Sequence, residues 1–306
     1  MMQYMPEGWL IDRPENAAAM RDRAALEQAM EQQTVLEARA LLCDSRHNIV
    51  VDLGCMKGVM LREEAARGIA EGQVRDIAII SRVGKPVCFV VTKIATDSKG
   101  MQYALLSRRV VQERAMAQQV RRLRPGDVIN ARVTHLEPFG AFVDIGAGLP
   151  SMISIDAISV SRISHPRDRF AVDMDIRAVV RSVDECGRVE LTHRELLGTW
   201  SENAARFRAG ETVAGVVRSV EEYGIFIELA PNLAGLAEYR EGVAVGSGAS
   251  VFIKSIIPER MKIKLVLVDT FCAPPPGVPD YFFEGEHMSR FVYSTVSSGR
   301  MIESIF

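Results

Sequence analysis

The feature that most constrains this chain is an internal repeat with an offset of 84 residues. The string GDVINARV at 126–133 aligns with GETVAGVV at 210–217. Without a gap, EPFGAFVD at 137–144 aligns with EEYGIFIE at 221–228. Glycine, aromatic and acidic positions coincide in the two copies. A repeated unit of this kind predicts two similar small domains in tandem.

Each copy opens with two strand-like alternating runs that are separated by a short polar turn, which is the pattern of a β-hairpin. In the first of these copies the two arms are 128–133 and 140–145. Later β-like runs lie at 176–183 and 188–192 in this copy, and at 251–257 and 262–265 in the other. Five strands in about 70 residues suit a small closed barrel of the oligonucleotide-binding (OB) type, which removes its own edges.

A weaker copy precedes these two. Its hairpin is predicted at 36–43 and 48–54, with a third strand at 57–60. Later strands are predicted at 74–83, 87–93 and 101–107. The predicted fold is therefore mainly β, with tandem five-stranded OB-fold barrels joined by α-helical linkers.

The segments around the barrels favour helices. Residues 108–123 contain good helix formers and neither Gly nor Pro, and 193–207 are similar. Residues 14–33 also indicate a helix, with Asn16 as a possible cap. The predicted order is an N-terminal helical segment at 1–33, a degenerate barrel at 34–109, a basic linker helix at 110–124, a barrel at 125–192, a linker helix at 193–208, a shorter barrel at 209–270, and a Pro-rich hinge with an aromatic tail at 271–306.

Composition is that of an ordinary folded chain, with 48% hydrophobic and 25% charged residues among 306. The formal charge of −2 gives no global basic field. The five cysteines include no CxxC pair, which fits neither a disulfide framework nor a zinc knuckle. The N-terminus lacks the pattern of a signal peptide, and no apolar run approaches the length of a spanning helix. We therefore expect a cytoplasmic protein with no membrane partner.

Motifs of catalysis and metal binding are missing from the sequence. The five histidines show no HxxxH or HxH spacing, and no GxxxxGK[ST], GxGxxG or GxSxG string is found. Asp173 and Asp175 could suggest a divalent ion, but a polar turn before the fourth strand is favoured. We expect no catalytic residues, no metal site and no cofactor.

Three strings of the second barrel together carry a family resemblance: PGD at 125–127, FGAFVD at 139–144, and Val183-Asp184 followed by Gly187-Arg188. They resemble the RNA-binding module of the largest small-subunit ribosomal protein, the S-one domain. The third barrel resembles the same module, and the first does so less closely. The order of the copies and the tail string YFFEGEHMSRFVYS resemble short bacterial homologues of that ribosomal protein, which are common in clostridia-like bacteria.

The resemblance implies a binding face for single-stranded RNA, built from two aromatics, a histidine, an aspartate and a basic residue. Carried over to the second barrel, these positions are Phe139, Phe142, Ser154 at the histidine position, Asp184 and Arg188. In the third barrel they are Tyr223, Phe226 and Lys262, with Glu238 at the histidine position and Ile257 at the aspartate position. Glu238 would repel a phosphate. The hairpin of the first barrel has neither aromatic.

The chemistry of the aromatic pair can be argued from the residues alone. Phe139 and Phe142 flank a turn and begin a strand, and Gly140 between them gives the backbone freedom. Two exposed rings at such positions accept any base, each stacked base being worth ~1–3 kcal/mol. The alternative is that Phe142 and Phe226 are core residues of their hairpins.

Local charge is acidic in both repeat barrels. Residues 125–196 hold eight Lys/Arg against eleven Asp/Glu, and 209–270 hold six against eight. Neutralisation of the phosphate backbone normally supplies most non-specific affinity, so each barrel alone should bind weakly. The first linker carries a basic stripe of Arg108, Arg109, Arg114, Arg121, Arg122 and Arg124. This stripe either attracts RNA electrostatically towards the second barrel or is a solvated helix face.

The predicted function is a non-enzymatic single-stranded RNA-binding protein, with mRNA or the small ribosomal subunit as partner and Arg121 and Arg122 as further contacts. The alternative is a protein-interaction scaffold of OB barrels with little RNA affinity. An enzyme linked to RNA processing is a third, less favoured class. The aromatic tail either docks on a partner or packs back on the third barrel, and the oligomeric state stays open.

Overall fold

The computed structural model describes residues 4–275, 277–299 and 301–306. These residues form three closed five-stranded barrels and one two-stranded sheet, which confirms the predicted mainly β fold of tandem OB barrels. They fall into two compact units. One comprises 1–123 with 144–150, and the other comprises 124–143 with 151–306.

Two short helices precede the first barrel: α1 (Pro14–Ala19) and α2 (Arg23–Glu31). The prediction of one helix over 14–33 with Asn16 as its cap was wrong. Asp22 caps α2, because its Oδ1 accepts the Ala25 N–H at 2.8 Å. Asn16 is buried inside α1, where its Nδ2 donates to the Glu37 carbonyl and its Oδ1 accepts the Glu37 N–H, both at 2.9 Å. The Asn16 amide thus fastens α1 to the first strand.

Five strands close the first barrel in the order β1-β2-β3-β5-β4. They are β1 (Leu36–Cys43), β2 (Ile49–Asp52), β3 (Lys57–Met60), β4 (Pro86–Thr96) and β5 (Gln102–Ser107). The strand predicted at 74–83 was wrong, because part of that segment forms the helical turn α3 (Ile77–Ile80). The single long strand β4 already pairs with both β1 and β5, so closure leaves no ladder position for another strand.

A linker helix, α4 (Arg108–Gln118), follows β5 and tightens into a 3-10 turn at Val120–Arg122. The Ser107 side chain caps it by accepting the Val110 N–H at 3.0 Å. The first residue of the predicted basic stripe does not face solvent. Arg108 is buried and makes two hydrogen bonds to the buried Glu7 carboxylate, at 2.6 and 2.9 Å. Burial opposes ionisation of Glu7, but the Arg108 guanidinium outweighs it and keeps the pKa of Glu7 below its ordinary value.

The second barrel closes in the order β10-β8-β7-β6-β9. Its strands are β6 (Val128–Glu137), β7 (Gly140–Asp144), β8 (Pro150–Ser154), β9 (Asp175–Val183) and β10 (Val189–Thr192). Side chains of β6 alternate between the core and the surface, with Ile129, Ala131 and Val133 inside. The predicted polar turn before the fourth strand is confirmed, since β9 begins at Asp175 and Asp173 has a positive φ of 68°.

The linker predicted as a helix over 193–207 is broken into a 3-10 turn at Arg194–Leu197 and α5 (Trp200–Ala204). The break lies at Gly198, whose φ is +83°. A β-carbon on Gly198 would lie 2.7 Å from the Phe282 ring. The helix therefore stops because the tail packs against the backbone at this residue. Other 3-10 turns lie at Arg62–Glu64, Ile155–Ala157, Pro166–Asp168 and Pro258–Arg260.

The third barrel repeats the topology of the first two, in the order β11-β12-β13-β15-β14. Its strands are β11 (Thr212–Glu221), β12 (Gly224–Ala230), β13 (Leu233–Ala237), β14 (Gly248–Ile257) and β15 (Lys262–Phe271). The third and fifth strands, β13 and β15, pair in parallel, with Leu236 opposite Lys264. This pairing closes the barrel and leaves Leu236 and Lys264 on its outer surface.

The aromatic tail packs back on the molecule. It ends in a two-stranded sheet of β16 (Arg290–Val292) and β17 (Glu303–Ile305). Met288, Phe291 and Tyr293 are buried in the same apolar cluster as the core of the third barrel. The Tyr293 hydroxyl donates to the Asn232 carbonyl at 2.7 Å. Of the two alternatives for the tail, packing on the third barrel is the one that the structure supports.

A polar network holds the tail against the second barrel. The buried His193 lies between Phe170 and Tyr281, in edge-on contacts with both rings. Its Nδ1 donates to the Ile158 carbonyl at 2.9 Å, so its Nε2 is left to accept the Tyr281 hydroxyl at 3.2 Å. The Tyr281 oxygen in turn accepts the Arg177 N–H at 2.9 Å. This arrangement needs a neutral imidazole, and burial lowers the pKa of His193 to about 4.

No helix among the described residues is long and apolar enough to cross a membrane.

We expect Glu7→Gln to lower the free energy of unfolding by about 3–5 kcal/mol, because it leaves the buried Arg108 without its counter-charge. Glu113→Gln is the matched control, since Glu113 pairs with Arg109 at the surface and such pairs are worth ~0.2–1 kcal/mol. Urea unfolding of both variants measures the difference. Equal losses would show that the Glu7 pair is no more than another surface contact.

We expect the protein to lose stability as the pH falls, because His193 is buried in its neutral form. The folded pKa of about 4 lies below the unfolded value of about 6.5, so the stabilisation is complete above pH ~6.5 and is lost as the pH falls towards 4. The difference amounts to something on the order of 3 kcal/mol. His193→Gln should be less stable than the wild type at neutral pH, and the gap should close on acidification. Parallel curves of unfolding free energy against pH would contradict this assignment.

Candidate nucleic-acid interface

Two phenylalanines stand on the outer surface where β7 begins. Phe139 is 56% exposed, and Phe142 is half-buried. Their ring centroids lie 6.0 Å apart with the planes at 88°. Phe142 occupies an outward position of β7, while Ala141 and Val143 on either side of it point into the core. The alternative that Phe142 is a core residue is therefore wrong.

Gly140 explains how two rings can stand so close to the next strand. A β-carbon at this residue would lie 2.5 Å from the Ile153 carbonyl oxygen and 3.2 Å from the Ser154 Cα. The backbone of β8 thus passes directly over Gly140, and the Ile155 N–H donates to the Phe139 carbonyl at 3.0 Å. Ser154 is half-buried beside this contact. The structure brings Phe139, Phe142 and Ser154 together.

Asp184 and Arg188 close the turn between β9 and β10. The Asp184 Oδ1 accepts the Arg188 N–H at 2.8 Å, and the Asp184 N–H donates to the Arg188 carbonyl at 3.0 Å. Both side chains are exposed. The carboxylate thus fixes the backbone from which Arg188 projects, and Arg188 has no ion pair among the described residues. Their contact with a ligand stays a prediction.

The surface next to the ring pair holds residues that the sequence reasoning missed. His135 lies 6.3 Å from Phe142, ring centroid to ring centroid, and its Nε2 is 2.6 Å from the Glu137 carboxylate. Met152, at an outward position of β8, pairs with Glu190 of β10. The alternation within β8 could have predicted Met152. Buried and outward residues alternate in β6 only as far as Val133. His135 lies beyond this point, so the alternation could not predict its position.

Most cations on this barrel are already paired. Arg132 makes a bidentate contact with Asp175 at 2.7 and 2.9 Å. Arg181 pairs with Glu190 at 3.2 Å. Arg177 donates to three tail carbonyls, those of Phe283, Glu284 and Gly285. Three arginines of this barrel are exposed and have no ion pair among the described residues: Arg162, Arg167 and Arg188.

The third barrel repeats the ring pair. Tyr223 is 70% exposed, Phe226 is half-buried, and their centroids lie 6.1 Å apart with the planes at 85°. Gly224 between them has a φ of +150°, and a β-carbon there would lie 2.5 Å from the Ala237 carbonyl oxygen. Lys262 is exposed and lines the same groove as the two rings. The structure thus brings together Tyr223, Phe226 and Lys262.

Strand pairing reveals a basic position that the sequence reasoning missed. Phe226 pairs with Leu236, and Leu236 pairs with Lys264. Lys264 therefore takes the place that Glu190 holds in the second barrel. The alternation of Lys262, Ile263 and Lys264, with only Ile263 inside, was the available signal.

Two positions of the third barrel differ from the family pattern, as the sequence predicts. Glu238 is exposed just after β13, and it does not line the groove that holds the ring pair. Ile257 pairs with Lys262 across the last turn, where the second barrel has its aspartate. The expected repulsion by Glu238 stays a prediction.

The basic stripe is smaller than its sequence indicates. Arg109 pairs with Glu64 and Glu113, and Arg114 donates to Gln33 at 2.7 Å. Arg121 and Arg122 are exposed in the turn after α4 and have no ion pair among the described residues. Their role as RNA contacts stays a prediction.

Within the described ranges, no group of three or more His, Cys, Asp or Glu side chains could hold a metal ion.

Comparison with known families identifies the second barrel. Residues 122–194 match the family model for the S1 RNA binding domain, which is the S-one domain named above. The second barrel is therefore similar to the S1 RNA-binding domains of that family. The match covers β6 to β10 and includes the five positions that the sequence predicts for the binding face of this barrel: Phe139, Phe142, Ser154, Asp184 and Arg188.

Curated relatives carry the similarity beyond this S1 domain. Small ribosomal subunit protein bS1 of Staphylococcus aureus (strain COL) is 25% identical over 222 residues, which is 71% of this chain. The protein of the same name from Leuconostoc lactis is 32% identical over 138 residues, 43% of this chain and 32% of that protein. The chain spans about half, 54%, of the length of the S. aureus relative.

A solved structure of a multidomain protein with nucleic acid binding domains from Streptococcus pneumoniae aligns with 78% of this chain and 74% of its own. The sequence identity is 15% and the TM-score is 0.26. The fold assignment rests on the strand order of the three barrels, and this likeness adds nothing to it.

Proposed function

We propose that the protein binds single-stranded RNA through the face of its S1 domain, with Phe139 and Phe142 as the surface on which bases stack. The single observation that carries this proposal is the edge-on ring pair of Phe139 and Phe142 on the outer surface of the barrel. An S1 domain whose rings were buried would have lost the means of holding a base. Here the rings stand on an outward surface that the barrel fold itself holds in place.

The ring pair suits single strands rather than duplexes. Bases in a duplex are stacked on one another and hide their faces, whereas unpaired bases can lie flat on an exposed ring. Stacking tolerates any base, so we propose little sequence preference. Ser154 can donate or accept one hydrogen bond, and Arg188 can meet a phosphate or stack on a base. We propose that this activity is binding and not catalysis.

The relatives extend the proposal to the setting of this activity. Both named relatives are small ribosomal subunit proteins. We propose that the RNA is mRNA, that the protein associates with the small ribosomal subunit, and that it acts in the cytoplasm. Arg121 and Arg122 supply further phosphate contacts in this proposal.

We expect Phe139→Ala/Phe142→Ala to weaken binding of a short single-stranded RNA, because each stacked base contributes ~1–3 kcal/mol, or about 5- to 150-fold in affinity. Fluorescence anisotropy with a labelled oligonucleotide measures this. Phe252→Ala is the control for the loss of a surface ring, since Phe252 is 37% exposed on β14, which pairs with β11 and β15 and not with a strand that carries a ring pair. Affinity that is equal in the wild type, the double variant and the control would remove the basis of the proposal.

A second candidate function, contact with protein, is favoured for the first barrel by one observation. An apolar patch lies on its surface, where the backbones of Ala40 and Gly84 are hydrogen-bonded at 2.7 Å. Leu41 and Val83 are the chain neighbours of these two residues and are exposed, and Ile77 and Ile80 are exposed on the preceding helical turn α3; these four side chains define the patch. The first barrel has no aromatic pair in its hairpin. We propose that it docks on protein of the small ribosomal subunit while the S1 domain binds RNA.

We expect Leu41→Ser/Ile77→Ser to reduce co-sedimentation with small ribosomal subunits about tenfold or more, because a buried large apolar side chain contributes ~1.5–3 kcal/mol. Val268→Ser/Val278→Ser is the control, since both of these side chains are exposed outside the first barrel. RNA affinity should be unchanged in both variants. Equal co-sedimentation of the two variants would rule out the patch as a docking surface.

A further inference from the structure

A groove of about 730 Å³ lies in the second compact unit, between the outer face of the third barrel and the segment 160–164. One wall carries the ring pair Tyr223 and Phe226 with Lys262 and Arg260. The opposite wall belongs to the second barrel and carries Arg162. The third barrel alone is therefore only half of this groove.

The wall from the second barrel is fixed in place by buried hydrogen bonds. The Val160 N–H donates to the Asn232 Oδ1 at 2.9 Å, and the Ser161 N–H donates to the Pro231 carbonyl at 3.2 Å. Asn232 is fully buried, and its Nδ2 donates to two carbonyls of the linker at 2.8 Å each. Arg162 follows directly after these contacts. Its backbone position at the groove is thus set by the junction of the two barrels.

Charge distinguishes this groove from the face of the S1 domain. Arg162, Arg260 and Lys262 are exposed and have no ion pair among the described residues. The remaining arginine of the lining, Arg218, is bound to Glu228 at 2.9 Å. Among the described residues that line the groove, Glu221 is the single acidic side chain, and it has no ion pair. Three free cations therefore face one free carboxylate, beside two exposed rings.

The same contrast extends over the face next to the groove. In the third barrel, Leu236 is followed across the parallel ladder by Lys264. In the second barrel, the corresponding partner of Met152 is Glu190. Residues 209–270 are acidic overall, yet this face carries Arg260, Lys262 and Lys264, with Glu221 as the acidic side chain of the groove lining.

We propose that this groove is a second, composite site for single-stranded RNA, in which bases stack on Tyr223 and Phe226 while Arg162 and Arg260 hold phosphates from opposite walls. The inference rests on the proposed function, and it adds that a residue of the second barrel completes the site of the third. Two exposed rings between cations favour a nucleic acid over an acidic peptide, because a base offers a π-face to each ring and a phosphate to each cation. An RNA strand that leaves the S1 domain would therefore continue along the groove between the second and third barrels.

The test compares the wild type with Arg162→Gln/Arg260→Gln in binding a fluorescent single-stranded RNA of about 20 nucleotides, long enough for two barrels at ~4–16 nucleotides each. We expect affinity to fall about 10- to 30-fold near 0.1 M salt, since each phosphate contact contributes a slope of ~0.7 in log K against log salt. The salt slope should decrease by about 1.4. Both arginines are exposed and unpaired, so the variant should unfold at the same denaturant concentration as the wild type.

The matched control is Arg75→Gln/Arg208→Gln, which removes two exposed arginines that also lack an ion pair among the described residues but lie outside the groove. A control that weakens binding as much as the groove variant would show a general charge effect and overturn the inference. So would displacement of the RNA by polyglutamate at equal charge, which would make the groove a site for any polyanion. If the groove variant binds like the wild type while Phe139→Ala/Phe142→Ala does not, the composite site is wrong and the S1 site stands. If the wild type binds no RNA, both are wrong.

Discussion

Closure of each barrel by the parallel pairing of its third and fifth strands is the constraint on which the rest of the structure depends. A closed sheet has no edge, so every strand must place alternate side chains inside and outside. In β7 this alternation leaves Phe142 outside, between the buried Ala141 and Val143. An aromatic residue in that register is exposed because the barrel is closed.

The glycine between the two rings is also required by the closed barrel, because the neighbouring strand passes close to it. Gly140 and Gly224 each lie against the carbonyl of the neighbouring strand, at a distance that no β-carbon could share. In each barrel the third strand, β8 or β13, therefore passes close to this glycine. The centroids of the two rings lie 6.0 Å apart in the second barrel and 6.1 Å apart in the third. The similarity of these two geometries, in barrels that differ at most other positions, follows from the shared backbone approach. The two barrels therefore present the same ring geometry with different surrounding charge.

That difference in charge arises from pairing rather than from composition. The second barrel holds more arginines, but Arg132, Arg177 and Arg181 are bound to Asp175, to the tail and to Glu190. The third barrel keeps Lys262, Lys264 and Arg260 unpaired among the described residues, while its buried Glu228 is bound to Arg169 and Arg218. A count of charges along the sequence cannot reveal this distribution, since only the fold decides which carboxylate meets which arginine.

The sequence by itself determined the number and type of the barrels, because an 84-residue repeat of alternating runs admits few other folds. It also determined the ring pairs, since register in a strand is a local property with a period of two residues. The strand predicted at 74–83 was wrong, because part of this apolar segment forms the helical turn α3. The helix cap predicted at Asn16 was also wrong, because its side chain is hydrogen-bonded to β1. Tertiary structure alone decided that Arg108 is buried with Glu7, that the tail folds back through Tyr281 and His193, and that Arg162 meets the face of the third barrel. Each of these depends on residues far apart in the chain, whose meeting leaves no periodic signal in the sequence.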